Sequence, residues 1–278
     1  MPSPLRLPFT DPYRQDETSE SAVTTHGRQP AKLQESLIDA LRVTGSAGHG
    51  AAGDLAISLR MLKYVAANPE TPRLIRAYHP EPTVAFSRRE SLLPGFPAAV
   101  SAAASRGFTP VIRPAGGRAV AYDQSCLIVD LVNAEDGGYG GRDNESHFKT
   151  IGNQFADALR ELGVDARVGP VPGEYCPGTY SVNARDQVKL VGTAQRVTRG
   201  ARLLSASIPI AETGSLIDVL IDVNRELDFA WHERTFGSVL GEVSGVTAVD
   251  VTETIVHALV GDQSAEIPYH VLANRMQS

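Results

Sequence analysis

The sequence predicts an α+β fold with a mixed, largely antiparallel sheet flanked by helices. Most strand-like segments are close neighbours along the chain, and helical stripes do not alternate with them one for one. Three strand-like segments follow one another over residues 179–210, separated only by Ala-Arg-Asp-Gln and by a turn at Arg199-Gly200. Such spacing is typical of an antiparallel meander and argues against a doubly wound parallel sheet.

Composition excludes several classes of protein. The 278 residues are 42% hydrophobic and 21% charged, which is ordinary for a protein with a core. A net charge of −6 without a long Lys/Arg block argues against a nucleic-acid partner. Apolar runs such as residues 126–129 are far shorter than the roughly 20 residues that span a bilayer, so no membrane association is expected. Two cysteines make no disulfide framework, which predicts a cytoplasmic protein. The seven histidines are scattered without metal-ligand spacing, so no metal site is expected.

The predicted domains are a largely disordered N-terminal extension, residues 1–50, and a single catalytic domain, residues 51–278. The first 30 or so residues are rich in Pro, Ser, Thr, Asp and Gln and show no periodicity. A helical spacing of Leu33, Leu37, Ile38 and Leu41 predicts a short amphipathic helix before a flexible glycine-rich break. Deleting residues 1 to about 45 is therefore expected to leave an active protein.

The elements of the domain follow from local patterns. Asp54 is the predicted N-cap of the first helix. A later helix that ends at Gly163 is predicted by the apolar stripe Phe148, Ile151, Phe155, Leu159 and Leu162. The predicted strands span residues 73–78, 82–86, 109–113, 125–132, 164–168, 179–183, 188–195 and 202–210. A further helix covers residues 96–106, and a helical C-terminal extension begins at about residue 211, with helices over 216–227 and after Thr252.

Gly116 and Gly117 follow a predicted strand within residues 111–123. Paired glycines let the backbone approach a ligand closely and point N–H groups at an anion or an oxyanion. A tight hairpin without a ligand is the alternative interpretation. The segment matches neither G-x-x-x-x-G-K-[ST] nor G-x-G-x-x-G, so it is not one of these phosphate loops.

The two cysteines have different surroundings. Cys176 lies in the loop-like segment Gly-Glu-Tyr-Cys-Pro-Gly-Thr-Tyr, where a thiol can be reached, although a loop can also simply tolerate a cysteine. Cys126 opens the apolar run Cys-Leu-Ile-Val and is interpreted as a small core residue.

Lys189 is the third candidate, because the chain otherwise favours arginine. Of 26 basic residues four are lysines, which leaves 22 arginines. A buried ammonium can exchange its proton, whereas a guanidinium stays charged. Lys189 is therefore a candidate acid–base residue, with a solvent-facing strand lysine as the alternative.

At these segments the chain resembles the family of biotin ligases, lipoate–protein ligases and octanoyltransferases. Arg113-x-x-Gly-Gly-x-Ala-Val-x-x-Asp123 is similar to the family's glycine motif, and Lys189-Leu-Val-Gly-Thr-Ala-Gln-Arg196 is similar to its lysine motif. The motifs have the family's order and spacing, and the resemblance covers roughly residues 54–210. It implies the family's catalytic-domain fold. It also implies a substrate-binding set made up of Arg113, Gly116, Gly117, Ala119, Gly192, Thr193 and Ala194.

The segment Glu-Tyr-Cys-Pro-Gly-x-Tyr-Ser-Val-Asn most resembles the cysteine-dependent amidotransferase branch of this family. That resemblance implies that Cys176 carries the acyl group as a thioester, that Lys189 moves protons, and that no cofactor is needed. The implied partners are an octanoylated carrier protein, glycine cleavage H protein or acyl carrier protein, and the lipoyl domains of oxo-acid dehydrogenase complexes. Arg118 departs from the pattern, because that position is often glycine or apolar.

Two alternatives stay open. An ATP-dependent lipoate–protein ligase would need ATP, Mg²⁺ and a site for the adenylate, and the sequence shows no dedicated carboxylate cluster for them. A non-catalytic acyl-binding relative would have no physical need for both Cys176 and Lys189.

Overall fold

The computed structural model describes residues 38–45, 50–135 and 141–277. Their strands are β1 (Ala40–Thr44), β2 (Arg73–Tyr78), β3 (Thr83–Ser87), β4 (Thr109–Arg113), β5 (Val120–Tyr122), β6 (Cys126–Ala134), β7 (Ala166–Val168), β8 (Val182–Ala184), β9 (Val188–Thr198), β10 (Ala201–Pro209) and β11 (Ser264–Pro268). Their α-helices are α1 (Gly50–Ala67), α2 (Phe96–Ser105), α3 (Gly141–Glu161), α4 (Gly214–Glu226), α5 (Val239–Glu242), α6 (Ala248–Val260) and α7 (Tyr269–Arg275).

The main sheet has the strand order β11-β1-β2-β6-β10-β9-β8-β7, and a small sheet has the order β4-β3-β5. In the main sheet only the pairs β1–β11 and β1–β2 are parallel, and the five other neighbouring pairs are antiparallel. The predicted α+β class, with a mixed and largely antiparallel sheet, is confirmed. The predicted meander is also confirmed, because β8, β9 and β10 are consecutive neighbours in the sheet.

Two helices, α3 and α6, cover one face of the main sheet. The α3 stripe buries Ile151, Phe155 and Leu159 against alternate residues of the central strands, such as Leu127 and Leu204. The helical spacing seen in the sequence therefore identified the face of α3 that enters the core. This apolar layer supplies the largest hydrophobic core.

The opposite face of the main sheet carries two separate apolar clusters. Near one end of the strands, α1 packs through Ile57, Met61 and Val65. Near the other end lie the small sheet, α2 and α4, where residues such as Phe86 and Val219 are buried. The functional residues described below lie on this face. No helix in the described part of the chain is long and apolar enough to cross a membrane.

The N-terminal boundary needs a correction. The predicted extension, residues 1–50, includes Ala40–Thr44, which forms β1 between β2 and β11. Leu41 belongs to this strand and not to the predicted helix, because Ala40 and Val43 are buried by partners more than 30 residues away. Leu33, Leu37 and the rest of residues 1–37 lie outside the described residues.

Three further corrections concern helix ends and the C-terminal extension. The first helix begins at Gly50, so Asp54 is an internal helix residue and not the N-cap. The predicted helix after Thr252 begins earlier, at Ala248, because Thr247 and Asp250 form a reciprocal capping box. The extension from about residue 211 is not wholly helical: Ser264–Pro268 forms β11 and returns to the main sheet.

Removing β1 is expected to destabilise the protein. A variant that lacks residues 1–45 loses the strand that joins β2 to β11 and exposes the apolar surface that Val43 covers. We expect the free energy of unfolding to fall by about 2 kcal/mol or more. The matched variant lacks residues 1–37 and keeps all of β1, so its thermal midpoint should equal that of the full chain. Equal midpoints for the two truncations would contradict this role of β1.

Candidate active site

Two loops from different sheets meet at the candidate site. The glycine loop, residues 114–119, joins β4 to β5 in the small sheet, and the cysteine loop, residues 169–181, joins β7 to β8 in the main sheet. Because β3 lies between β4 and β5, the glycine loop is a crossover, and the alternative of a tight hairpin is wrong.

Cys176 is the meeting point of the two loops. Its side chain is half-buried against the apolar cluster of the small sheet. Its Sγ accepts a hydrogen bond from the backbone N–H of Arg118, with an N···S distance of 3.2 Å. The sulfur is therefore held at the glycine loop by a backbone N–H group.

Gly117 makes this approach possible. Its φ is +97°, in the left-handed region where a side chain is strained. A Cβ there would lie 3.1 Å from Cys176 Sγ and 2.8 Å from Arg113 Nη2. A Cβ at Gly116, in contrast, would meet no atom within 4 Å. The two glycines are therefore not equivalent, and only Gly117 is required for contact with the sulfur.

Arg113 stabilises the conformation of the glycine loop. Its Nη2 donates to the carbonyl oxygens of Gly116 and Arg118, both at 2.8 Å. Arg113 also lines the cavity described below. Its guanidinium thus donates hydrogen bonds to the loop and also faces the cavity.

Glu90 fixes the other end of the glycine loop, and sequence reasoning missed it. This buried carboxylate accepts the backbone N–H of Ala119 at 2.6 Å and, through its other oxygen, the N–H and the hydroxyl of Ser87. The N–H of Ala119 is consequently occupied by a protein acceptor. Only the fold brings Glu90 to a loop 29 residues away, so no local signal marks it.

Lys189 reaches the cysteine loop from β9. Its Nζ donates to the carbonyl oxygen of Cys176 at 2.7 Å and lies 3.1 Å from Glu174 Oε2. Both side chains are almost completely buried, at 4% and 1% exposure. The alternative of a solvent-facing lysine is therefore wrong. Among the described residues, this ammonium contacts the carbonyl oxygen of Cys176 and the carboxylate of Glu174, and it makes no hydrogen bond to Cys176 Sγ.

Glu174 organises the cysteine loop around this ion pair. Its carboxylate also accepts the N–H of Gly178 at 2.9 Å and the hydroxyl of Ser181 at 2.9 Å. The sequence motif contains Glu174, but a single glutamate in a Pro/Gly-rich loop gave no signal of a role. Its contacts with Lys189, Gly178 and Ser181 hold the loop around Cys176.

Tyr175 and Gly192 complete the packing around the lysine. The Lys189 ammonium lies 5.0 Å from the centroid of the Tyr175 ring. Burial raises the pKa of Tyr175, so its hydroxyl stays protonated. A Cβ at Gly192 would lie 3.1 Å from both Lys189 Cε and the Tyr175 hydroxyl. Glycine at this position of the lysine motif therefore leaves room for the two side chains.

A cavity extends from Cys176 between the main sheet and α1. It gathers five of the residues that the sequence singled out: Arg113, Cys176, Lys189, Gly192 and Thr193. Apolar side chains, among them Leu55, Val120 and Ile128, form part of its wall. Gly117 and Ala119 act through the glycine loop instead, and Ala194 lies one residue beyond Thr193 on β9.

Cys126 is a core residue, as predicted. Its side chain has no exposed surface, and burial raises the pKa of its thiol to about 12. A thiol that stays protonated is a poor nucleophile. Of the two cysteines, only Cys176 combines partial exposure with a cavity.

Comparisons with known proteins identify the family of this chain. Residues 52–253 match the family model of the lipoyl protein ligase A/B catalytic domain. The chain is 26% identical over 150 residues to an octanoyl-GcvH:protein N-octanoyltransferase of Exiguobacterium sp., which covers 54% of this chain and 52% of that protein. An enzyme of the same name from Oceanobacillus iheyensis is 24% identical over 222 residues, covering 74% and 77%.

Several of these matches are partial: the chain spans about half the length of the first three curated relatives, from 45% to 52%. Solved structures resemble the fold over more of the chain. A lipoate-protein ligase A bound with ATP has a TM-score of 0.63 at 18% identity, covering 86% of this chain and 94% of that one. A bi-partite lipoate protein ligase from Thermoplasma acidophilum has a TM-score of 0.62 at 18% identity, covering 86% and 92%.

The family model covers well over half of the chain and includes the glycine loop, the cysteine loop and Lys189. The chain belongs to the lipoyl protein ligase A/B catalytic domain family.

Proposed function

We propose that this protein is an acyltransferase that moves an octanoyl or lipoyl group from a carrier protein to a lysine of a lipoyl domain, through a thioester on Cys176. The observation that carries the proposal is the half-buried Cys176 thiol, which lines a cavity and accepts a hydrogen bond from a backbone N–H of the glycine loop. Relatives named octanoyl-GcvH:protein N-octanoyltransferases support the H protein as donor, and the ligase neighbours fit lipoyl domains as acceptors.

In the first half-reaction the sulfur of Cys176 attacks the carbonyl carbon of the donor acyl group. A bond forms between sulfur and carbon, and the bond to the donor's amine or thiol breaks as that group takes a proton. The developing oxyanion needs hydrogen-bond donors at the place where charge appears. The N–H of Arg118 is directed at the sulfur and is therefore our candidate donor for this oxyanion.

In the second half-reaction the acceptor lysine attacks the thioester. A new amide forms, the carbon–sulfur bond breaks and the sulfur is released for another cycle. Two steps allow one cavity to serve two bulky proteins in turn. Each requires proton movement, and Lys189 is the buried cation next to Cys176, held in place by Glu174.

Cys176 is the expected nucleophile. Cys176→Ala is expected to abolish transfer without unfolding the protein, and Cys176→Ser should fail nearly as completely because a hydroxyl is far harder to ionise than a thiol. Intact-protein mass spectrometry of the wild type mixed with donor alone should show the gain of one octanoyl group, removed by hydroxylamine. Cys126→Ala is the matched control and should still gain that mass. Transfer by Cys176→Ala would exclude the thioester.

Lys189→Arg is expected to reduce turnover by about 10²–10⁴-fold, because a guanidinium cannot release its proton near neutral pH. The larger group must also pass Gly192, where the lysine side chain already fits closely. Single-turnover rates of acyl loading and acyl release, measured separately, test this. Unchanged rates in both steps would show that Lys189 only positions the loop through the carbonyl of Cys176.

Transfer from octanoylated H protein is expected to proceed without ATP or Mg²⁺, because a carrier-bound acyl group is already positioned on a protein and needs no adenylate. The measurement is the mass of a lipoyl domain incubated with enzyme and octanoylated H protein. The control reaction contains free octanoate with ATP and Mg²⁺. Modification in the control alone would favour the ATP-dependent ligase.

Gly117→Ala is expected to slow acylation of Cys176 by about 10- to 100-fold, because the added methyl group displaces the sulfur and strains a left-handed residue. Gly116→Ala is the matched control: its Cβ meets open space, so loading should stay within about twofold of the wild type. The rate of mass gain from an octanoyl donor compares the two variants. Equal rates would mean that the glycine loop does not position the sulfur.

A further inference from the structure

The cavity floor is built from rows of side chains that cross four strands of the main sheet. One row consists of Tyr78, Ile128, Ser207 and Gly192, which are partners in the strand register. Gly192 contacts Lys189, so this row lies at the Cys176 end of the cavity. The next row, two residues further along each strand, consists of Arg76, Asp130, Ser205 and Ala194. Two residues correspond to roughly 6.5–7 Å along a strand.

The second row is polar and tightly bonded. Asp130 is 2% exposed and accepts hydrogen bonds from the hydroxyls of Ser58 at 2.5 Å and Ser205 at 2.6 Å. Arg76 is 1% exposed, pairs with Asp54 at 2.5 Å and lies over the ring of Tyr78. Ser58, Asp130 and Ser205 all line the cavity.

Beyond this row the floor becomes solid core. The third row contains Leu74, Val132 and Leu203, each at most 1% exposed and packed under α1. Of these three residues, Leu203 is the one that lines the cavity. The polar row thus lies close to this inner end of the cavity, between the two apolar clusters of this face.

The stability of the fold does not explain why polar side chains occupy this row. Replacing buried charged groups by apolar side chains is often neutral or stabilising. Burial raises the pKa of Asp130, which shows the cost of placing a carboxylate there. A methylene that reaches the row meets carboxyl and hydroxyl groups in place of apolar side chains, so its burial there gains less free energy than burial against the apolar wall.

We infer that Ser58, Asp130 and Ser205 form a polar end-stop that limits the length of the acyl chain bound in the cavity. The inference rests on the proposed function, because it treats the cavity as the acyl site. Chains that end before the row pack against Ile128 and its neighbours, and longer chains must press methylenes against the carboxyl group of Asp130.

The experiment measures acylation of Cys176 from N-acetylcysteamine thioesters of octanoic and decanoic acid by intact-protein mass spectrometry. The sulfur of Cys176 displaces the small thiol, which leaves as its thiolate, so no second protein is involved. The measured quantity is the ratio of the decanoyl rate to the octanoyl rate. Asp130→Ala/Ser205→Ala makes the end of the cavity apolar and wider, and should raise this ratio roughly 15-fold, at about fourfold per methylene.

Asp130→Asn is the matched control, because it keeps the size and the polarity of the side chain and should keep the wild-type ratio. Ser205→Ala alone removes one hydroxyl and should raise the ratio a few-fold, which retains a test if the double variant does not fold. A ratio unchanged within twofold in folded Ser205→Ala and in the double variant would overturn the end-stop while leaving the proposed function intact. Failure of the wild type to acquire any acyl group on Cys176 would overturn both.

Discussion

The candidate site depends on the buried ion pair between Lys189 and Glu174. Withdrawing two charges from water costs several kcal/mol per ion, and such a pair persists only where further hydrogen bonds satisfy both groups. Here the carboxylate also accepts from Gly178 and Ser181, and the ammonium donates to the carbonyl of Cys176. The energetic demand of the pair thus fixes the conformation of the cysteine loop, because any displacement of the loop would leave one of the charges unsatisfied.

The glycine loop is fixed by the same principle with a different residue. Glu90 accepts a hydrogen bond from the N–H of Ala119, while Arg113 donates to two carbonyl oxygens of the loop. Each of the two loops therefore has a buried glutamate that binds its backbone, and each is anchored to a different sheet. The contact between Arg118 N–H and Cys176 Sγ joins two independently held segments. Such positioning by rigid supports is what a nucleophile requires if its geometry is to be ready before a substrate binds.

Features set by local sequence patterns were predicted, whereas features set by contacts between distant residues were missed. The bounds of β2 and β4 are as predicted, and the apolar stripe of α3 identifies its buried face, because period-2 and period-3.6 patterns are local properties. The fold brings the segments of both motifs together at Cys176, and the prediction that Cys126 lies in the core is confirmed. The strand β1 was mistaken for a helix because it is defined by its pairing with β11, more than 200 residues away. Glu90 and Glu174 have no periodic or compositional signal, so only tertiary contact reveals what they hold.

The two faces of the main sheet differ: one carries the largest apolar cluster, and the other carries the cavity beside two further apolar clusters. Side chains alternate along each strand, so Leu127, Val129 and Leu131 of β6 enter the apolar layer beneath α3 and α6. The intervening residues of the same strand, Ile128 and Asp130, face the cavity. Polar side chains of β6 on the cavity face therefore leave the larger core unbroken, because no residue of β6 contributes to both faces. The sheet can carry a costly carboxylate in the cavity because its largest apolar cluster lies on the other face.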